Sequence, residues 1–253
     1  MNSKLIKAGN FLEYIFLSIA VVCIWQYMEY IGSLNPVTLP SPEMIYQKFI
    51  DMIISGALTK HLLISTGRVL QGFAMAAVSA ITLGLVLGLS KRCYRITDLI
   101  IQLVRPIPPI AWIPLVILWF GVGEESKIFL IFLGGFFAIL INVIDGVHRI
   151  DPKLIEVARV METPKMKYIF HLIIPAALPS IFTGLRVGMA SCWMCVVAAE
   201  LVASSTGLGY MIMNARQFSQ TPVVIVGMIT IGIIGKLTDS ILKEIERRVI
   251  KWS

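Results

Sequence analysis

With 253 residues, 57% of them hydrophobic, and a positive mean hydropathy, the chain is too apolar for a water-soluble domain, where the apolar share is roughly 45–50%. The net charge of +7 suggests nucleic acid at first sight, but Lys and Arg are dispersed among hydrophobic runs rather than gathered on a polar module, which argues against that partner. The expectation is a single all-α integral membrane domain over residues 1–253, with the lipid bilayer as its solvent.

Taken in order, the first apolar run covers about residues 11–31 behind Lys4 and Lys7. It lacks a small-residue cleavage site and carries Trp25, Tyr27 and Tyr30, which suit a membrane interface, so it reads as a retained span. Asn35-Pro36 and Pro40-Ser41-Pro42 break the chain, and Ser41 is placed to cap a short helix from Pro42 to about Ile54. A second span runs over about residues 61–89 and contains Arg68. The third begins near Ile96 and meets Arg105-Pro106-Ile107-Pro108-Pro109. Those prolines remove donors and rule out a regular helix, so residues 106–114 should lie against a neighbour or a pathway that supports the freed backbone.

Spans four, five and six are expected over about residues 128–147, 178–203 and 222–242. Between the fourth and fifth lies a charged island, about residues 150–179. Asp151-Pro152 and Thr163-Pro164 each place a capping side chain before a proline, which predicts two short helices. In the first, Leu154, Ile155, Ala158 and Met161 gather on one face, with Glu156 and Arg159 mostly elsewhere.

Charge placement then sets the orientation. Lys4, Lys7, Lys91, Arg92, Arg95, Arg149, Lys153, Arg159, Lys165, Lys167, Lys243, Arg247, Arg248 and Lys251 fall on one side of the six spans. Lys48, Lys60, Lys127 and Arg216 fall on the other. The basic excess marks the cytoplasmic side, so both termini and the island face the cytosol.

Ionisable residues within spans are costly and imply partners or a pathway. Arg68 and Glu200 belong to the outer half and should approach one another; Arg105, Arg186, Lys236 and Asp239 belong to the inner half, with Asp239 or Asp145 as the partner of Arg186. Cys192 and Cys195 form a C-x-x-C spacing inside an apolar span, better read as helix packing than as a metal or redox site. Gly84-x-x-x-Gly88 and Gly184-x-x-x-Gly188 read as close packing within one subunit. No GxxxxGK[ST] phosphate loop occurs, and the histidines show no catalytic spacing, so the chain is expected to be neither an ATPase nor another enzyme.

Glu156-Val157-Ala158-Arg159, a helix break, Ile174-Pro175 and Leu178-Pro179 resemble the EAA loop of the membrane subunits of ATP-binding-cassette importers. Arg105-Pro106-Ile107-Pro108-Pro109-Ile110-Ala111-Trp112-Ile113-Pro114-Leu115, Trp119-Phe120-Gly121-Val122-Gly123-Glu124, Thr183-Gly184-Leu185-Arg186-Val187-Gly188 and Ala198-Ala199-Glu200-Leu201 are similar to the binding-protein-dependent permeases for taurine and other sulfonates, nitrate and bicarbonate. The resemblance covers about residues 61–252.

It implies a six-span type I importer permease in a bacterial cytoplasmic (inner) membrane. The expected assembly is a homodimer with two cytosolic ATPases, which bind the ATP and Mg, and an extracytoplasmic solute-binding protein; this chain itself would bind no cofactor. Leu154, Ile155, Glu156, Ala158, Arg159, Met161 and Glu162 would couple to the ATPase. Arg68, Arg105, Arg186, Met189, Trp193 and Glu200 would line or gate the pathway. The leading substrate class is an organic anion such as a sulfonate or taurine. Nitrate, bicarbonate or a vitamin precursor are alternatives within the family, and a stand-alone secondary transporter or a membrane scaffold are alternatives outside it. One departure stands out: Glu162 occupies the position where the EAA pattern usually has glycine. A left-handed backbone there would cost a glutamate about 1 kcal/mol.

Overall fold

The computed structural model describes residues 3–32, 35 and 38–250, and side chains within them except those of residues 3–15 and 18. The side chains of Lys4 and Lys7, together with Pro36, Lys251 and Trp252, lie outside the described residues. Within them every regular element is helical: α1 (Ser3–Tyr30), α2 (Pro42–Ile54), α3 (Ala57–Leu89), α4 (Lys91–Val104), a 3-10 turn (Pro109–Trp112), α5 (Ile113–Phe120) and α6 (Glu124–His148). There follow α7 (Pro152–Val160), α8 (Lys165–Tyr168), a π turn (Ile169–Ile173), α9 (Ile174–Ala203), α10 (Leu208–Gln217) and α11 (Thr221–Val249).

Four helices among the described residues are long and apolar enough to cross a membrane: α3, α6, the 39-residue run Lys165–Ala203, and α11. The pair α4 and Pro109–Phe120, bent by 86°, makes a fifth if it forms one span. The first expected span corresponds to α1, whose first half has no described side chains.

Two start signals are present as expected. Ser41 Oγ accepts from Met44 N at 3.1 Å with Pro42 opening α2, and Asp151 Oδ1 accepts from Lys153 N at 2.9 Å with Pro152 opening α7. Thr163 does not act as the third cap. Pro164 takes that position with φ −56° and ψ 142°, so the proline is the extended residue before α8 rather than its first helical one. The helix break expected between Arg159 and Ile174 is present at residues 161–164, between α7 and α8. From α8 the backbone passes through the π turn into α9, placing Pro175 in the first turn of α9, where its missing N–H leaves no orphan. Pro179 sits inside α9, and its carbonyl accepts from Thr183 Oγ1 at 2.9 Å.

By contacts the chain divides into two compact units, Met1–Thr59 with Met211–Ile229, and Lys60–Tyr210 with Thr230–Ser253. In the first, α10 and α11 meet closely, since a Cβ on Gly227 would lie 2.6 Å from Ile212 Cγ1. In the second, Ala76, Ala80 and Leu87 of α3, Ile139, Leu140 and Val143 of α6, and Ala177 and Ile181 of α9 form the main buried cluster. Small residues let these helices approach. A Cβ on Gly188 would fall 2.6 Å from Ile139 Cγ1, and one on Gly84 would fall 2.8 Å from Val143 Cβ, so both glycine pairs seat α6 of the same chain. The Sγ atoms of Cys192 and Cys195 fill the notches over Gly135 and Gly134, which accounts for the C-x-x-C spacing by packing.

Candidate functional site

The charged island builds a short helix with two different faces. Ile155 is half-buried and packs with Tyr168 on the main core cluster, and Ala158 is half-buried one turn later. Leu154, Val157, Val160 and Met161 are exposed, Val160 by 84% and Met161 by 72%. The single apolar face expected from spacing is therefore divided: Ile155 and Ala158 anchor α7, while Leu154 and Met161 join Val157 and Val160 on a free face. Glu156 and Arg159 are exposed, with no ion pair among the described residues.

The helix ends in a Schellman-type turn. Glu162 N donates to Arg159 O at 3.0 Å and Thr163 N to Ala158 O at 3.1 Å, with Glu162 at φ 46°. The glutamate thus keeps the left-handed geometry that glycine would supply, and the loop does not rearrange around it.

Arg68 is the centre of a buried ion cluster. Its Nη1 donates to Glu200 Oε1 at 2.7 Å, and its Nε and Nη2 donate to Glu124 Oε2 and Oε1, each at 2.6 Å. Two further bonds reach Thr206, to its carbonyl at 2.8 Å and its hydroxyl at 3.0 Å. Glu200, 1% exposed, also accepts from Ser65 Oγ at 2.8 Å and from Gly209 N at 2.8 Å. Lys127 Nζ completes the set on Glu124 at 2.8 Å. The cluster pins the turn between α9 and α10 to α3, and Gly207 N donates to His61 Nδ1 at 3.1 Å beside it. Gly207 has φ 110°, and a Cβ there would collide with the Glu200 carboxylate. The Arg68–Glu200 approach expected from sequence is present; Glu124 is the member that sequence reasoning missed.

Arg186 takes Asp239 as its partner, with Nε donating to Oδ1 at 2.8 Å, and Glu246 lies 3.7 Å from Nη1. Met189 and Trp193 are buried at 5% and 4% exposure, and Trp193 Nε1 donates to Thr238 Oγ1 at 3.2 Å. Neither lines the cavity beside the proline break. The side of α9 that does so carries Val187, Ser191, Met194, Cys195 and Ala198.

That cavity, about 530 Å³, lies where the proline break meets α6 and α9; Arg105, Asn142 and Ser191 are polar groups in an otherwise mostly apolar wall. A second cavity of about 600 Å³ is lined by Tyr94, Asp98, Gln102 and Asp145, and Arg105 and Ile141 line both. The Arg105 side chain makes no hydrogen bond or ion pair among the described residues, in contrast to Arg68 and Arg186. Asn142 and Ser191 were not anticipated; each is a polar residue in an apolar span, the signal that could have found them.

Residues 80–251 match the family described as the binding-protein-dependent transport system inner membrane component. The chain belongs to this family. It is 43% identical over 246 residues to the putative aliphatic sulfonates transport permease protein of Bacillus subtilis (strain 168), spanning 97% of this chain and 89% of that one. It is 34% identical over 237 residues to the taurine transport system permease protein of Escherichia coli (strain K12), spanning 92% and 86%. The fold matches a chain of the inward-facing MetNI methionine ABC transporter with a TM-score of 0.62 at 20% identity, covering 73% of this chain and 94% of that one. The protein is an inner-membrane permease of the ABC importer class, with the type I importer fold.

Proposed function

We propose that this permease imports a small organic anion of the sulfonate or taurine class, handed over by an extracytoplasmic binding protein and driven by a cytosolic ATPase that grips α7. The observation that carries the coupling role is the divided helix. Leu154, Val157, Val160 and Met161 offer an apolar knob to a partner, while Ile155 and Tyr168 tie the same loop to the core formed by α3, α6 and α9. A force applied to the knob reaches the spans without passing through a soft linker. Glu156, Arg159 and Glu162 frame the knob with charge. The basic excess on this side supports cytosolic termini, and the family resemblance supports a homodimer with two ATPases.

The uncommitted guanidinium of Arg105 supports an anionic cargo, because a cation left unpaired beside a cavity favours negative charge there. The mostly apolar wall suits the carbon part of an organic anion. Relatives named for sulfonates and taurine agree with that chemistry. Arg68 and Glu200 hold the outer turn in place, Arg186 ties α9 to α11, and Met189 and Trp193 pack beside that tie.

The test is co-purification with candidate ATPase subunits, comparing wild type with Val160→Asp and Met161→Asp. Both positions are exposed, so the permease keeps its fold. A complex held by wild type and lost in both variants supports the role of α7; a complex that survives both variants removes it.

A further inference from the structure

Glu162 combines two unfavourable features that nothing among the described residues offsets by a hydrogen bond or ion pair. Its backbone lies at φ 46°, in the region where a Cβ is disfavoured and where helices commonly end on glycine. Its carboxylate also sits at the C-terminal end of α7, the negative end of the helix dipole, which favours a cation over an anion. Arg159 and Lys165, three positions away on either side, form no ion pair with it, and among the described residues its side chain has no partner. A loop shaped for its own stability would carry glycine, asparagine or lysine here. Strain and a misplaced charge kept together point to a use outside the chain.

The surroundings say what kind of partner meets it. Glu162 follows directly on Val160 and Met161, the most exposed part of the apolar knob, so it stands at the rim of that contact. An anionic lipid surface would repel it.

We infer that Glu162 recognises charge on the ATPase: its carboxylate meets a Lys or Arg side chain at the edge of the groove that receives Val157, Val160 and Met161. This rests on the docking of α7 proposed above and adds the sign of the charge on the partner. The apolar knob gives affinity, and the rim charge sets register and excludes ATPases that carry an acidic residue there.

The test reads two quantities on wild type, Glu162→Gly, Glu162→Gln and Glu162→Lys: thermal stability of the detergent-purified permease, and affinity for its ATPase at low and high salt. Gly relieves the backbone and raises Tm, whereas Gln keeps the strained shape without the charge. Both are expected to weaken ATPase binding at low salt by about fivefold, and Lys by more, with the gap between wild type and Gln closing at high salt. A glutamate standing in for glycine without a role predicts the reverse for Gly, with stability and affinity rising together. Equal affinity and salt dependence for wild type, Gly and Gln overturns the inference and leaves α7 docking intact. A wild type that holds no ATPase overturns the docking and this inference together.

Discussion

Arg68 and Glu200 lie 132 residues apart in sequence, and their side chains meet at 2.7 Å with 4% and 0% of their surface exposed. Neither is short of partners, because Glu124, Thr206, Ser65 and Gly209 occupy the remaining hydrogen-bonding positions. The cluster is a fastening, closed on itself. Removing Arg68 leaves the buried Glu200 carboxylate without its cation, so Arg68→Ala should cost about 3–5 kcal/mol, measured as a loss of stability in detergent. The reversal Arg68→Glu with Glu200→Arg should recover none of it. The carboxylate introduced on α3 would face Glu124, and the guanidinium introduced on α9 would face the Gly209 N–H.

The ion pair between Arg186 and Asp239 behaves differently. Each side chain is 32% exposed, so the pair is less enclosed than Arg68 and Glu200, and either single reversal should cost less than the loss of Arg68. The double reversal should be more stable than either single variant, although Glu246 and Lys236 nearby oppose full recovery. Thermal melts of the four proteins check this.

Gly207→Ala should be severe, because the glycine is buried in the turn against Glu200. The backbone at φ 110° disfavours any Cβ, and the new carbon would collide with the Glu200 carboxylate. A loss of about 3 kcal/mol is expected. Gly232→Ala, in α11 with open space around its Cβ position, should be harmless or slightly stabilising by the same assay.

Arg105→Gln should leave stability unchanged, because the side chain has no partner to lose among the described residues. Uptake of an organic anion should fall about tenfold or more, the worth of one charged hydrogen bond. Arg105→Lys, which keeps the charge, should retain more uptake than Gln. Equal uptake by wild type and Gln would remove Arg105 from the pathway.

Much of this architecture was legible because it rests on local rules. Ser41 and Asp151 announce their helices through proline and a capping oxygen, and the charged residues of the outer half had few possible partners. Glu124 was not legible as a member of the Arg68 cluster. It opens α6, 56 residues from Arg68, and no spacing rule links the two. The cavity side of α9 was hidden for another reason. The helix is apolar nearly all round, and lipid and protein interior are equally apolar, so a stripe such as Met189 and Trp193 does not reveal which it faces. The divided face of α7 was blurred because Leu154 and Ile155 are adjacent apolar residues, one on each side of the boundary. Glu162 was readable as an oddity, but the preserved left-handed turn required the backbone.

The most direct test of the coupling claim is uptake of taurine or an alkanesulfonate into proteoliposomes holding this permease with its ATPase, supplied with binding protein, comparing wild type with Val160→Asp. The expected result is uptake that requires ATP and is lost in Val160→Asp while the variant melts like wild type. Uptake driven by an ion gradient through the permease alone, or ATP-dependent uptake undiminished in Val160→Asp, would contradict it.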